Sequence, residues 1–174
     1  MLDVGSGVGY WRDWYLKNYP RTQVVSVDIS EHACKKYGHE QRDISTWTPT
    51  KQFDLVICQS VLQYLDDHSA RAAIKNLAKA TRHVLFFEVP TRGDIRHNID
   101  RSVTDLEIHS RTGAWYRKEL SRHFTQAGAG LWIANLSTIV SDGAGGFGAR
   151  RIARTHGTAG NCRPLAGRGI VTDR

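Results

Sequence analysis

The run Leu2-Asp3-Val4-Gly5-Ser6-Gly7-Val8-Gly9-Tyr10 decides the fold. It reads as the end of a buried strand that passes at once into a glycine-rich turn. Glycine has no Cβ to block a ligand or forbid positive φ, so such a turn brings backbone N–H groups close to whatever it holds. The chain begins inside this strand, so a site usually built in mid-sheet falls at the N-terminus.

Outward from this turn, strand-like and helix-like segments alternate to about Ile133. Tyr10–Tyr19 reads as a helix closed by Pro20. Gln23–Val27 is a β-branched strand ending at Asp28. Ser30 caps a short helix that stops at Gly38. His39–Ile44 is a short strand and Phe53–Cys58 a strong buried one. Asp66 or Asp67 caps a helix to Ala80, with Ala70, Ala73, Ile74, Leu77 and Ala78 on one stripe. His83–Val89 is another buried strand, stopped by Pro90, and helix-compatible sequence follows to about His109. Thr112 opens a helix to about Phe124, with Trp115, Leu120 and Phe124 inward. Gly130–Ile133 is the final strand. This alternation predicts an α/β fold: a Rossmann-like, doubly wound, mostly parallel sheet with helices on both faces. Ligands of such sheets bind at the carboxyl ends of the strands, where the notable polar residues fall.

A chain of 174 residues with 40% hydrophobic and 24% charged residues is that of one soluble globular domain. No apolar run approaches the ~20 residues of a membrane span, and Met1 leads straight into strand and turn rather than a signal peptide. Cys34, Cys58 and Cys162 lack metal-ligand spacing, which predicts no metal site and a cytoplasmic protein with reduced thiols. The net charge of +7 is uneven. From Asn135 onward six arginines face two acids, and no basic run is interleaved with aromatics, so nucleic-acid binding is not indicated. After Ile133 the sequence holds eight of the 16 glycines and almost no apolar periodicity, a composition that predicts disorder.

The GxGxG of Gly5, Gly7 and Gly9 is a weak signal alone. The dinucleotide fingerprint needs a third glycine where this chain has Tyr10. Asp3, two residues before the first glycine, repels a pyrophosphate and attracts an ammonium. Asp28 ends the second strand, where a carboxylate accepts from both hydroxyls of a ribose; the plainer reading is a turn or cap residue before Ser30. Asp43 ends the third strand, where it accepts from an adenine amino group while Ile29 and Ile44 sandwich the ring. An ordinary turn aspartate is the alternative. Together, three acids ending successive strands are a far stronger signal than any one.

These motifs resemble the class I S-adenosylmethionine-dependent methyltransferases, in the wording of small bacterial members. LDVGSGVG is similar to that family's first motif, and Asp28 after QVVSV to its ribose-binding acid. Arg42-Asp43-Ile44 is similar to its adenine-binding motif, FDLVICQSVLQYLDD to its fourth motif, and HVLFFEV to its fifth strand. The resemblance implies S-adenosyl-L-methionine as cofactor. It implies that Asp3 and the backbone of Gly5, Ser6, Gly7 and Gly9 hold the methionine moiety, Asp28 the ribose, Asp43 the adenine edge between Ile29 and Ile44, and that Gln59 flanks the sulfonium. The acceptor, expected to be a small molecule, would be faced by Gln63, Tyr64 and Glu88, with His97, His109 and Tyr116 as further candidates. No single catalytic residue is assigned, because methyl transfer needs alignment more than a base.

The chain also departs from the family. Residues 1–133 are expected to form the S-adenosylmethionine-binding domain with its first strand clipped, and 134–174 a Gly/Arg-rich tail, native or frame-shifted. An upstream helical segment is not present, and the last strand of the family's seven-stranded sheet is not recognisable in the tail. An inactive, truncated relic with weak cofactor binding is therefore the alternative to an enzyme. A nicotinamide-dependent oxidoreductase is disfavoured by Asp3 and Tyr10. The oligomeric state is open.

Overall fold

The computed structural model describes residues 1–100, 102 and 107–135. The expected tail therefore lies outside the described residues, apart from residues 134 and 135.

The described residues build a seven-stranded sheet in the order β3-β2-β1-β4-β5-β7-β6. The strands are β1 (Leu2–Val4), β2 (Val25–Asp28), β3 (Glu40–Gln41), β4 (Phe53–Gln59), β5 (Thr81–Glu88), β6 (Phe124–Gly128) and β7 (Leu131–Ala134). β1 to β5 pair in parallel, and β7 is antiparallel to both β5 and β6, so six strands run one way and β7 the other. The helices are α1 (Tyr10–Asn18), α2 (Glu31–Tyr37), α3 (Asp67–Ala80), α4 (Arg92–His97) and α5 (Gly113–Leu120). The expected Rossmann-like, mostly parallel α/β architecture is the one observed.

β1 is central despite its length. Leu2, Asp3 and Val4 pair with Val25, Ser26 and Val27 on one side and with Val56, Ile57 and Cys58 on the other. All three residues are buried, as a strand between two parallel neighbours requires. Caps fix the helix starts. Ser30 Oγ accepts from Ala33 N, Asp66 Oδ1 from Ser69 N, and Thr112 Oγ1 from Trp115 N. The predicted stripe of α3 is its buried face, where Ile74 and Leu77 are at most 2% exposed. Burying two such side chains contributes ~1.5–3 kcal/mol each.

Two expectations need correction. The seventh strand is present, and it lies before the tail. The reading of a helix through Phe124 missed β6, because Leu120 and Phe124 share a helical spacing that the chain does not use. The helix ends at Ser121 and Phe124 starts a strand paired to Ala134. The reversal at Gly128, Ala129 and Gly130, all at positive φ, folds β6 back onto β7. The second correction concerns α5. Its buried aromatic is Tyr116, at 3% exposure, while Trp115 is only partly covered.

Candidate functional site

At the carboxyl ends of β1, β2 and β4 the chain leaves a cavity of about 410 Å³. This is within the usual range for small ligands. Gly5, Gly7 and Asp28 line one side of it, Ile29, Asp43 and Ile44 the next, and Ser60, Val61 and Tyr64 the wall opposite the glycine turn.

The turn is held open by its own geometry. Gly5 has φ +71°, and a Cβ there would sit 2.2 Å from Val61 Cγ2, so any side chain would collide with the opposite wall. At Gly7, φ is +53° and a Cβ would meet nothing within 4 Å. The backbone is thus bare toward the cavity. Its amide nitrogen donates to Asp28 Oδ2 at 2.8 Å, and Ser30 N donates to Oδ1 at 2.8 Å. Asp28 therefore performs the turn role and still lines the cavity. Each carboxylate oxygen has a second lone pair to offer a hydroxyl. Asp43 is similar: its Oδ1 accepts from Ser45 N and Oγ, at 2.8 and 2.7 Å. Ile44 is buried in the floor at 4% exposure, and Ile29 stands at the rim at 63%.

Beneath the turn lies a support that the sequence reading did not find. The His39 ring is buried, with Nε2 3.1 Å from Gly7 O and Nδ1 2.9 Å from Ser26 Oγ. Arg12 approaches the same Nδ1 at 3.3 Å and donates to Tyr37 O. The sole sequence signal was position: His39 follows the Gly38 stop of α2. Asp3 is also under the turn, at 2% exposure, and among the described residues its Oδ2 has no hydrogen-bond partner. Burial pushes its carboxyl above the ordinary range, opposed by Ser6, His39 and Arg12.

Of the residues predicted for the cofactor, the cavity brings together Gly5, Gly7, Asp28, Ile29, Asp43 and Ile44. Asp3, Ser6, Gly9 and Gln59 are not in its lining. Ser6 Oγ donates to Asp3 O, and Gly9 is the N-cap of α1. Gln59 turns the other way: its Oε1 accepts from Trp11 Nε1 at 2.8 Å, and its Nε2 donates to Glu88 Oε2 at 3.3 Å. The residue at the cavity is the next one, Ser60. It has φ +55° and donates from its backbone N to Glu88 O at 2.8 Å. A non-glycine residue in this region costs on the order of 1 kcal/mol and tends to mark functional sites.

A second cavity of about 540 Å³ adjoins the first and shares Ser60 and Tyr64 with it. Gln63, Tyr64 and Glu88, the residues expected to face an acceptor, line it together with Asp94 from α4. His97, His109 and Tyr116 line neither cavity. Tyr116 is in the core, its hydroxyl 3.3 Å from Arg111 NH1. His109 contributes only its backbone N–H, to Gln63 O at 2.7 Å. The wall between the cavities is pinned by Arg111, which is 5% exposed. Its guanidinium donates to Asp67 Oδ1, Leu62 O and Leu65 O. Among the described residues no cluster of His, Cys, Asp and Glu can hold a metal, and no helix is long and apolar enough to cross a membrane.

Comparison with known proteins agrees with this geometry. Residues 2–83 match a family model described as a methyltransferase domain. The chain is 30% identical over 77 residues to malonyl-[acyl-carrier protein] O-methyltransferase 1 of Ilyobacter polytropus, covering 38% of this chain and 29% of that enzyme. It is 25% identical over 165 residues to trans-aconitate 2-methyltransferase of Azoarcus sp., covering 82% and 62%. The chain thus spans under two thirds of either relative. The same fold is found in the N-methyltransferase NodS from Bradyrhizobium japonicum in complex with S-adenosyl-l-homocysteine, with TM-score 0.56, 19% identity and 76% of each chain covered. It is found also in an S-adenosylmethionine-dependent methyltransferase from Mesorhizobium loti, with TM-score 0.58, 17% identity, and 72% and 74% covered. Residues 2–83 thus match a methyltransferase-domain model, and the described residues share the fold of S-adenosylmethionine-dependent methyltransferases.

Proposed function

We propose that this domain binds S-adenosyl-L-methionine in the first cavity and transfers its methyl group to a small molecule held in the second. The observation that carries this reading is the junction: two cavities at the carboxyl ends of the strands meet at Ser60 and Tyr64. The donor-side residues fit the group. Asp28 faces the cavity with accepting capacity for a ribose, Ile29 and Ile44 offer apolar faces for a base, and the bare backbone at Gly7 admits close approach. Asp43 would meet the adenine edge. Asp3, Ser6 and Gly9 act from beneath, through the shape and charge of the turn, and Gln59 acts through Glu88 and Trp11.

When bound, the cofactor would supply an activated methyl group, and Gly5, Gly7, Asp28, Ile29, Asp43 and Ile44 would hold it beside the second cavity. The protein's part is to hold two partners in line and exclude water between them. The shared wall, which Arg111 fixes, does this without a dedicated base.

Isothermal titration with S-adenosylhomocysteine, with NADH as control, tests the reading. Micromolar binding of the first and none of the second is expected. Binding of NADH, or of neither by a chain with a folded circular-dichroism spectrum, refutes it. Turnover with methyl-labelled cofactor then separates an enzyme from an inactive binding domain.

A further inference from the structure

We propose that the second cavity takes its acceptor as a cationic amine on an apolar body, rather than as a carboxylate. The inference rests on the reading of the first cavity as the methyl-donor site, and three independent features of the second cavity support it.

The first is charge. Two carboxylates, Glu88 and Asp94, line the cavity, and none of its described lining residues is Lys, Arg or His. Asp94 is firmly an anion, because bonds from Thr91 and Asn98 hold its carboxyl below the ordinary range. A carboxylate acceptor would meet like charge and no counter-cation, whereas an ammonium would meet two anions.

The second is a missing donor. Gln63 also lines this cavity and is only 3% exposed, and its buried Oε1 has no hydrogen-bond donor among the described residues. A buried acceptor left unmade costs ~1–3 kcal/mol. An ammonium supplies three donors, while a carboxylate supplies none.

The third is the remaining wall. Val89, Pro90, Ile99 and Ile108 are apolar, so the body attached to the nitrogen is a hydrocarbon or aromatic group rather than a sugar or phosphate. Before transfer the bound ammonium gives one proton to solvent; the freed lone pair then forms the nitrogen–carbon bond as the carbon–sulfur bond breaks with its electrons left on sulfur, and the positive charge reappears on nitrogen. The charge then rests beside Glu88, where a fixed carboxylate stabilises it as it develops.

A matched pair of probes tests the inference: phenethylamine and 3-phenylpropionate, titrated by ligand-observed NMR against the full chain with and without S-adenosylhomocysteine. The amine is expected to bind at least about tenfold more tightly than the acid, a difference of about 1.4 kcal/mol. Glu88→Lys is expected to abolish or reverse that preference. Equal binding of both probes, tighter binding of the acid, or no binding of either overturns the inference. So does an amine preference untouched by Glu88→Lys. Glu88, Asp94 and Gln63 do not line the first cavity, so the probe pair remains decisive on the chain alone. Loss of S-adenosylhomocysteine binding would instead refute the donor-site reading.

Discussion

The Gly7 N–H donates to Asp28 Oδ2 across 2.8 Å, which ties the glycine turn after β1 to the acid that ends β2. One carboxylate therefore does two things. It fixes the shape of the turn, and it presents itself to the cavity that both elements line.

Asp28→Ala removes the turn's anchor and the candidate ribose acceptor together. Hydrogen bonds to a charged group contribute ~1.5–3 kcal/mol each, so S-adenosylhomocysteine affinity is expected to fall at least about tenfold in calorimetric titration. Asp28→Asn keeps one acceptor and is expected to lose less. If Asp28→Ala binds as tightly as the parent, the ribose assignment is wrong.

Asp3 carries the opposite balance. Its carboxyl is buried with Oδ2 unpartnered among the described residues, and desolvation raises its pKa. The folded state therefore holds the proton more tightly than the unfolded state does. Below the unfolded value of 3.8 both states are protonated, and the group costs nothing. As pH rises from there through the folded pKa, stability is lost. Asp3→Asn is thus expected to melt no lower than the parent at pH 7 while binding S-adenosylhomocysteine more weakly. A lower melting temperature at pH 7 with unchanged affinity would show that Asp3 is a structural group only.

The first cavity was legible in the sequence because it is local. Glycines and acids at strand ends follow from strand spacing, and Gly5, Gly7, Asp28, Ile29, Asp43 and Ile44 line one cavity. Gln59 and Ser60 show where such reading stops. They are neighbours, and only Ser60, at positive φ, lines the cavity; no pattern in FDLVICQSVL announces that φ. His39 escaped notice for a different reason. Its partners, Gly7, Ser26 and Arg12, are 32, 13 and 27 residues away in sequence, so only the packed fold brings them together. β6 was hidden by a coincidence of helical spacing between Leu120 and Phe124.

His123 sets the acid limit on the α5 side. Burial, with Arg122 and Lys75 nearby, lowers its pKa, opposed by Glu119. The folded state therefore binds this proton less tightly than the unfolded state does. Stability is full above the unfolded value of 6.5 and falls as pH drops through it toward the folded value. Thermal melts of His123→Gln are expected to show a shallower loss than the parent between about pH 6.5 and 5. Parallel curves would mean that His123 does not contribute to the acid limit.

Arg111 links stability to the site. It is a buried cation whose charge is met by Asp67 at 2.7 Å and whose other donors satisfy Leu62 O and Leu65 O. Those carbonyls flank Gln63 and Tyr64, and the segment from Val61 to Leu65 walls the first cavity. Arg111→Met keeps much of the volume but leaves Leu65 O without this donor, at ~1–3 kcal/mol for a buried acceptor, whereas Leu62 O still accepts from Leu65 N at 3.3 Å. Asp67 is largely exposed and loses little. The expected destabilisation is therefore about 1–3 kcal/mol, against the ~5–15 kcal/mol of a typical domain. Arg111→Lys keeps the charge but offers one ammonium where a planar fork reaches four partners, the Tyr116 hydroxyl included, so it should recover only part of the loss. Denaturant titration gives the stability, and S-adenosylhomocysteine titration below the unfolding range gives the site. Weakened cofactor binding in folded Arg111→Lys would establish that this guanidinium positions the wall. Unchanged binding would confine it to holding α3 and α5 together.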